Sequence, residues 1–155
     1  MKRIVGGLLV VAVSAALLVL YPTSRHGVPV VHAQSGCGVG TLTGNYGFIQ
    51  PAGFTHTKPN GKGADVPWQF EGLSTFDGAG NASATYAGAI NGQVFTNQTT
   101  AGTYTVNSDC TGSLAWTSGD AAGYTANFVI VDGGTEVFAV STGSGDTASV
   151  ILKKQ

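Results

Sequence analysis

Reactive side chains are few in this chain, and their spacing limits the chemistry open to it. Cys110 sits in Gly102-Thr-Tyr-Thr-Val-Asn-Ser-Asp-Cys-Thr-Gly112, where a short alternating run breaks into turn residues. A catalytic thiol there would need a cationic or basic neighbour to depress its pKa. Nothing cationic lies near it in sequence, and the only histidine after residue 33 is His56. A Ser-His-Asp or Cys-His site would have to use His56 as its base. That residue falls in a stretch rich in Gly, Pro and Lys, which reads as solvated surface. No catalytic nucleophile is therefore assigned. The simpler fate of Cys110 is a disulfide with Cys37, the one other cysteine. Such a bridge closes a loop of about 73 residues and stabilises the fold by roughly 4 kcal/mol through the unfolded chain.

Carboxylates are the other source of chemistry. Of the eight, Asp65, Asp77, Asp109, Asp120, Asp132 and Asp146 fall in turns or loops, leaving Glu71 and Glu136 within alternating runs. Glu71 shares a face with Leu73, and Glu136 shares one with Phe138 and Val140. A glutamate pointing into an apolar interior would have a raised pKa and could transfer protons, so both are candidate acid/base groups. On the outside they would only be solubilising charges. Asp77, Asn81 and Asp132 offer oxygen ligands, but without EF-hand spacing, and one histidine with a paired cysteine makes no zinc site. No metal is assigned. Gly36-Cys-Gly-Val-Gly40 has the letters of a phosphate loop but precedes a strand instead of leading into a helix, so no cofactor is assigned.

These groups must be positioned by strands. Beyond residue 33 the chain has 21 glycines, abundant Thr, Ser, Val and aromatics, and few Leu, Glu or Lys, which is the composition of strands joined by tight turns. Alternation between turn markers predicts strands over 41–50, 68–76, 82–90, 93–106, 113–117, 124–131, 135–141 and 147–153. Asp77-Gly-Ala-Gly-Asn81 and Asn91-Gly92 are hairpin turns, and a kink or bulge is expected near Gly102. Pro51 to Pro67 is read as one long polar loop. Short sequential connections place successive strands side by side, so eight of them predict an antiparallel up-and-down β-barrel, which closes its own edges. A two-sheet β-sandwich is the alternative.

Residues 1–33 stand apart. Lys2 and Arg3 precede the apolar run Ile4–Leu20, and Val31-His32-Ala33 suits signal peptidase, so export with cleavage after Ala33 is expected. An uncleaved N-terminal anchor is the alternative, and Gln34-Ser35-Gly36 before Cys37 is no lipobox. Residues 34–155 then form a single domain. Its four lysines against eight carboxylates leave a net charge of −4 and no arginine, which argues against nucleic acid and against anionic membrane surfaces as partners.

The segments TFDGAGNASATYAGAINGQ, GTYTVNSDCTGSLAW and NFVIVDGGTEVFAV, with NYGF and the terminal LKKQ, resemble the core of small exported bacterial proteins of unassigned function. The whole pattern is similar, at the level of fold, to lipocalin-like and allene-oxide-cyclase-like barrels. That likeness implies a barrel and carries no function with it.

Ten aromatics remain to be placed: Trp68, Phe70, Phe76, Tyr86, Phe95, Tyr104, Trp116, Tyr124, Phe128 and Phe138. They could fill the interior, yet small residues at Gly72, Ala84, Gly88 and Ala126 could leave it hollow. Trp68, Phe70, Tyr86, Tyr104, Trp116 and Phe128 are the candidate ligand-lining set. Three readings of function follow. The first is a non-enzymatic exported barrel that binds a small apolar ligand or a surface partner. The second is a barrel enzyme of isomerase or cyclase type using Glu136 or Glu71. The third is a structural cell-surface module with a solid core. The pairing of the cysteines is checked directly: thiol labelling of the unreduced, unfolded protein should modify neither Cys37 nor Cys110.

Overall fold

A computed structural model describes residues 36–56 and 63–155. The expected leader and its cleavage point lie outside the described residues, as do Lys58 and Lys62. Eight strands follow one another in chain order: β1 (Thr43–His56), β2 (Asp65–Asp77), β3 (Asn81–Ile90), β4 (Gln93–Val106), β5 (Thr111–Gly119), β6 (Thr125–Val131), β7 (Glu136–Ser141) and β8 (Asp146–Lys154). Each pairs antiparallel with the next, and β8 pairs with β1 to close the barrel. The barrel is the predicted one, and the sandwich is excluded.

The polar stretch 51–67 is a correction. It is mostly strand, because β1 runs on through His56 and β2 begins at Asp65. Pro51 had suggested a strand end. Instead, pairing to both neighbouring strands lapses around it and resumes at Gly53, a bulge that accommodates a residue with no amide hydrogen. The bulge also changes which residues face inward. Tyr46 and Gln50 point in before it, and Gly53 is buried after it. A second irregularity falls between Ala101 and Gly102, where the sequence predicted one.

Up-and-down topology gives the barrel two different ends. At one end lie the β2–β3, β4–β5 and β6–β7 turns together with both chain termini of the domain. Here the interior is solid. Leu42, Tyr46, Phe76, Tyr104, Ile130, Val137 and Leu152 are all buried and form one cluster. Phe76 stands edge-on between two tyrosines, with ring centroids 5.3 Å from Tyr46 and 5.1 Å from Tyr104. The Tyr46 hydroxyl donates to the Gly134 carbonyl across the end of the barrel. The Tyr104 hydroxyl lies 3.0 Å from the Val39 carbonyl and 2.9 Å from that of Leu42. It thereby holds the short 3-10 turn Val39–Thr41 that precedes β1. The Cys37–Cys110 disulfide ties the same segment to the β4–β5 turn, as predicted. The N-terminal segment is thus a plug, anchored covalently at one point and by a tyrosine at another.

Glycine faces aromatic across most of the wall. Phe48 pairs with Gly72, Trp68 with Gly53, Phe70 with Gly88, Tyr86 with Gly72, Trp116 with Gly102 and Phe128 with Gly112. A Cβ added at Gly88 would fall on the Phe70 ring and one at Gly112 on the Phe128 ring; at Gly53 it would stand 3.0 Å from the Trp68 indole. At these three positions the rings lie in space their partners leave empty. Replacing Gly112 by Ala drives a methyl into both the Thr105 carbonyl and the Phe128 ring, and should destabilise the barrel by about 2 kcal/mol. Gly38 is extended with nothing near its missing side chain, so Gly38→Ala should shift stability by less than about 0.5 kcal/mol. Urea unfolding of the two variants separates the cases.

Candidate functional site

At the opposite end the interior is hollow. A cavity of about 390 Å³ lies among the ends of β1–β5 and β8 and the β5–β6 turn, within the range of roughly 300–1,000 Å³ usual for small-molecule sites. The strands position its wall by parity. On β2, alternation points Trp68 and Phe70 inward beside the outward Gln69 and Glu71. Tyr86 enters from β3, Phe95 from β4, Trp116 from β5, and Tyr124 from the β5–β6 turn. Ring packing makes these one surface. Centroids are 6.3 Å apart for Trp68 and Tyr124, 5.2 Å for Trp68 and Phe70, 5.6 Å for Phe70 and Tyr86, and 5.9 Å for Phe70 and Phe95.

Polar groups interrupt this wall at a few points. Trp68 Nε1 donates to Thr55 Oγ1 at 3.0 Å, and Thr55 Oγ1 donates to Asp146 Oδ1 at 2.7 Å, a relay across β2, β1 and β8. Gln50, only 5 % exposed, directs Nε2 towards the Tyr124 hydroxyl at 3.5 Å. Thr100 is buried and donates to the Ser118 carbonyl at 2.7 Å. Asp120 closes the far side of the mouth, where its Oδ2 accepts from the Thr99 amide at 3.3 Å. Burial pushes the Tyr124 hydroxyl above its ordinary pKa, and the nearby Asp146 charge adds to that while hydrogen bonds from Ser141 and Gln50 oppose it. Tyr86 is raised by burial first and then by the charge of Asp120.

No family model, curated protein or solved structure matches this chain. What the site can do must be read from its own geometry. Among the described residues no helix is long and apolar enough to cross a membrane, and no cluster of three metal-ligating side chains occurs.

Of the six predicted lining residues, Trp68, Phe70, Tyr86 and Trp116 meet at the cavity. Tyr104 and Phe128 do not. Tyr104 belongs to the solid end, and Phe128 is packed in the core against Gly112. Both glutamates are also corrected. Glu71 is exposed on the outer wall. Glu136 faces outward opposite Lys153, whose Nζ lies 3.2 Å from its carboxylate. The apolar companions of Glu136 had suggested an interior face. Phe138 and Val140 are instead 43 % and 53 % exposed, and the inward position on β7 is Val137 at 2 %. Asp77 has no open coordination role, since its oxygens accept from the Ala79 and Asn81 amides and the Asn81 side chain within the β2–β3 turn.

The carboxylates that do reach the cavity are Asp120 and Asp146, which the sequence reading had left in turns. For Asp146 a signal existed. It has the parity of the buried Ala148 and Leu152, and β8 begins one residue earlier than the turn composition implied. Thr55 was hidden by the bulge, which reverses the parity counted from Gln50. The buried hydroxyls give a pH test. Tyr46, Tyr86, Tyr104 and Tyr124 are all raised above the ordinary value near 10, chiefly by burial. A raised folded-state pKa contributes stability that is intact below the unfolded value and is lost as pH rises through the folded one. Urea midpoints should therefore stay level up to about pH 10 as far as these groups are concerned and fall above it. Tyrosinate absorbance should appear late and together with unfolding. Titration of all four at the ordinary value in folded protein would contradict their burial.

Proposed function

We propose that this chain is an exported, non-enzymatic binding protein whose barrel holds a small, mainly apolar ligand at its open end. The observation that carries the proposal is the cavity of about 390 Å³ walled by contiguous aromatic rings in a barrel that is solid at its other end. Aromatic walls with a few placed polar groups are the usual composition of small-molecule sites. A barrel serving only as a structural module has no need of such a space, and filling it with larger side chains would add buried apolar area. The isomerase or cyclase alternative loses the residues that motivated it, because Glu71 and Glu136 face away from the cavity.

Export is supported by two independent features. The disulfide suits an oxidising compartment, and the basic residues Lys2 and Arg3 followed by Ile4–Leu20 have the pattern of a secretory leader.

Native mass spectrometry of protein purified from its own secretory compartment tests the binding reading. A small-molecule adduct that disappears on denaturation is expected. Ala84 is buried and lines the cavity, so Ala84→Trp should occupy the space and remove the adduct while circular dichroism still reports the barrel. A reproducibly bare mass of the native chain would count against ligand binding.

A further inference from the structure

We infer that the occupant of the open end is an organic cation, an amine whose apolar body lies on the aromatic wall and whose charge is met by Asp120 or Asp146. This rests on the reading of the cavity as a small-molecule site and narrows what that site takes. Among the described residues that line it there are two carboxylates and no lysine, arginine or histidine. Among the described residues the hydrogen-bond donors to those carboxylates are neutral: Thr55 and Ser141 for Asp146, and the Thr99 amide for Asp120. Hydrogen bonds of this kind orient a carboxylate without cancelling its charge.

The aromatic surface favours the same sign. Ring faces carry negative electrostatic potential and attract cations, most strongly when desolvated. From Tyr124 through Trp68 and Phe70 to Tyr86 the rings run without a break, and Asp146 and Asp120 line the same cavity. An amine on this wall meets aromatic surface in a cavity whose ionisable lining, among the described residues, carries negative charge and no positive charge. Gln50 gives a separate indication. It is 5 % exposed, it lines the cavity, and among the described residues its one side-chain hydrogen bond is the long approach to Tyr124. A buried amide whose carbonyl has no donor among the described residues is costly unless something donates to it, and an ammonium N–H does so.

Other ligand classes fit less well. An anion would face two carboxylates with no described cation to offset them. A plain hydrocarbon would fill the space beside Gln50 and return no hydrogen bond to it. A bare metal ion would find no cluster of three ligands among the described residues.

Titration calorimetry of the disulfide-bonded protein near pH 7 with three matched probes tests the inference. The probes are naphthylethylammonium, naphthylethanol and naphthylacetate, which share an aromatic body and differ in charge. The ammonium should bind at least about tenfold more tightly than the alcohol, and the acetate most weakly. That advantage should shrink as salt is raised and vanish in the Asp120→Asn/Asp146→Asn double variant. Equal or tighter binding of the alcohol or the acetate would overturn the cation while leaving the binding site standing. An ammonium advantage that survives in the double variant would overturn the assignment to these carboxylates. If none of the three binds, both the cation and the binding site are wrong.

Discussion

The pairing of inward aromatics with glycines across the strands is the constraint on which the rest of this barrel depends. Eight strands enclose a narrow space, and large rings from opposite walls would meet near the axis if each stood upright. Glycine on the neighbouring strand lets a ring lie back along the wall, as Phe70 does over Gly88 and Phe128 over Gly112. The barrel can therefore carry many aromatics and still close. The arrangement has a cost, because glycine weakens strand interiors by leaving the unfolded chain more freedom. Hydrophobic burial of the rings and the closed ladder of eight strand pairs offset it.

The same constraint explains why one end is solid and the other hollow. Where Tyr46, Phe76 and Tyr104 stand edge to face, aliphatic side chains from β6, β7 and β8 fill the remaining space: Ile130, Val137 and Leu152. At the other end the buried companions are small or polar, namely Ala84, Thr100 and Gln50, while the aliphatic Val66 and Ile90 are more exposed, and the centre is left open. Packing is thus divided along the axis, solid at one end and open at the other. The disulfide and the plug belong wholly to the solid end, so the segment around Cys110 that looked most like a reactive site is structural. Its work is to hold Val39–Thr41 over the core, with Tyr104 bonding the two carbonyls beside it.

Strand number, order and most faces were legible in the sequence, because turn residues and period-two alternation mark them strongly. The disulfide was legible too, from the cysteine count. What was lost had physical causes that can be named. Pro51 looked like a strand end and is a bulge within β1, and that single irregularity concealed Thr55 as an inward residue. Phe138 and Val140 made the outer face of β7 resemble an interior one, which misplaced Glu136. Tyr104 and Phe128 were correctly inward, but alternation gives a residue's face and not its height along the axis. Separating lining from core required the strand register, which fixes which residues share a layer.

Register also decides which charges matter. Asp120 and Asp146 follow turn glycines and have the composition of exposed turn acids, yet both reach the cavity mouth. Turns at a barrel rim differ from turns elsewhere, because a side chain at the first or last strand position can lean over the opening and remain partly solvated. A carboxylate there keeps its hydration cost low while projecting its field into the low-dielectric space below, where each interaction is stronger than in water. Placing the same charge deep among Trp68, Phe70 and Phe95 would incur the desolvation penalty of a buried ion. An apolar wall with acidic groups confined to its rim therefore keeps charge beside the cavity without the desolvation cost of a buried ion.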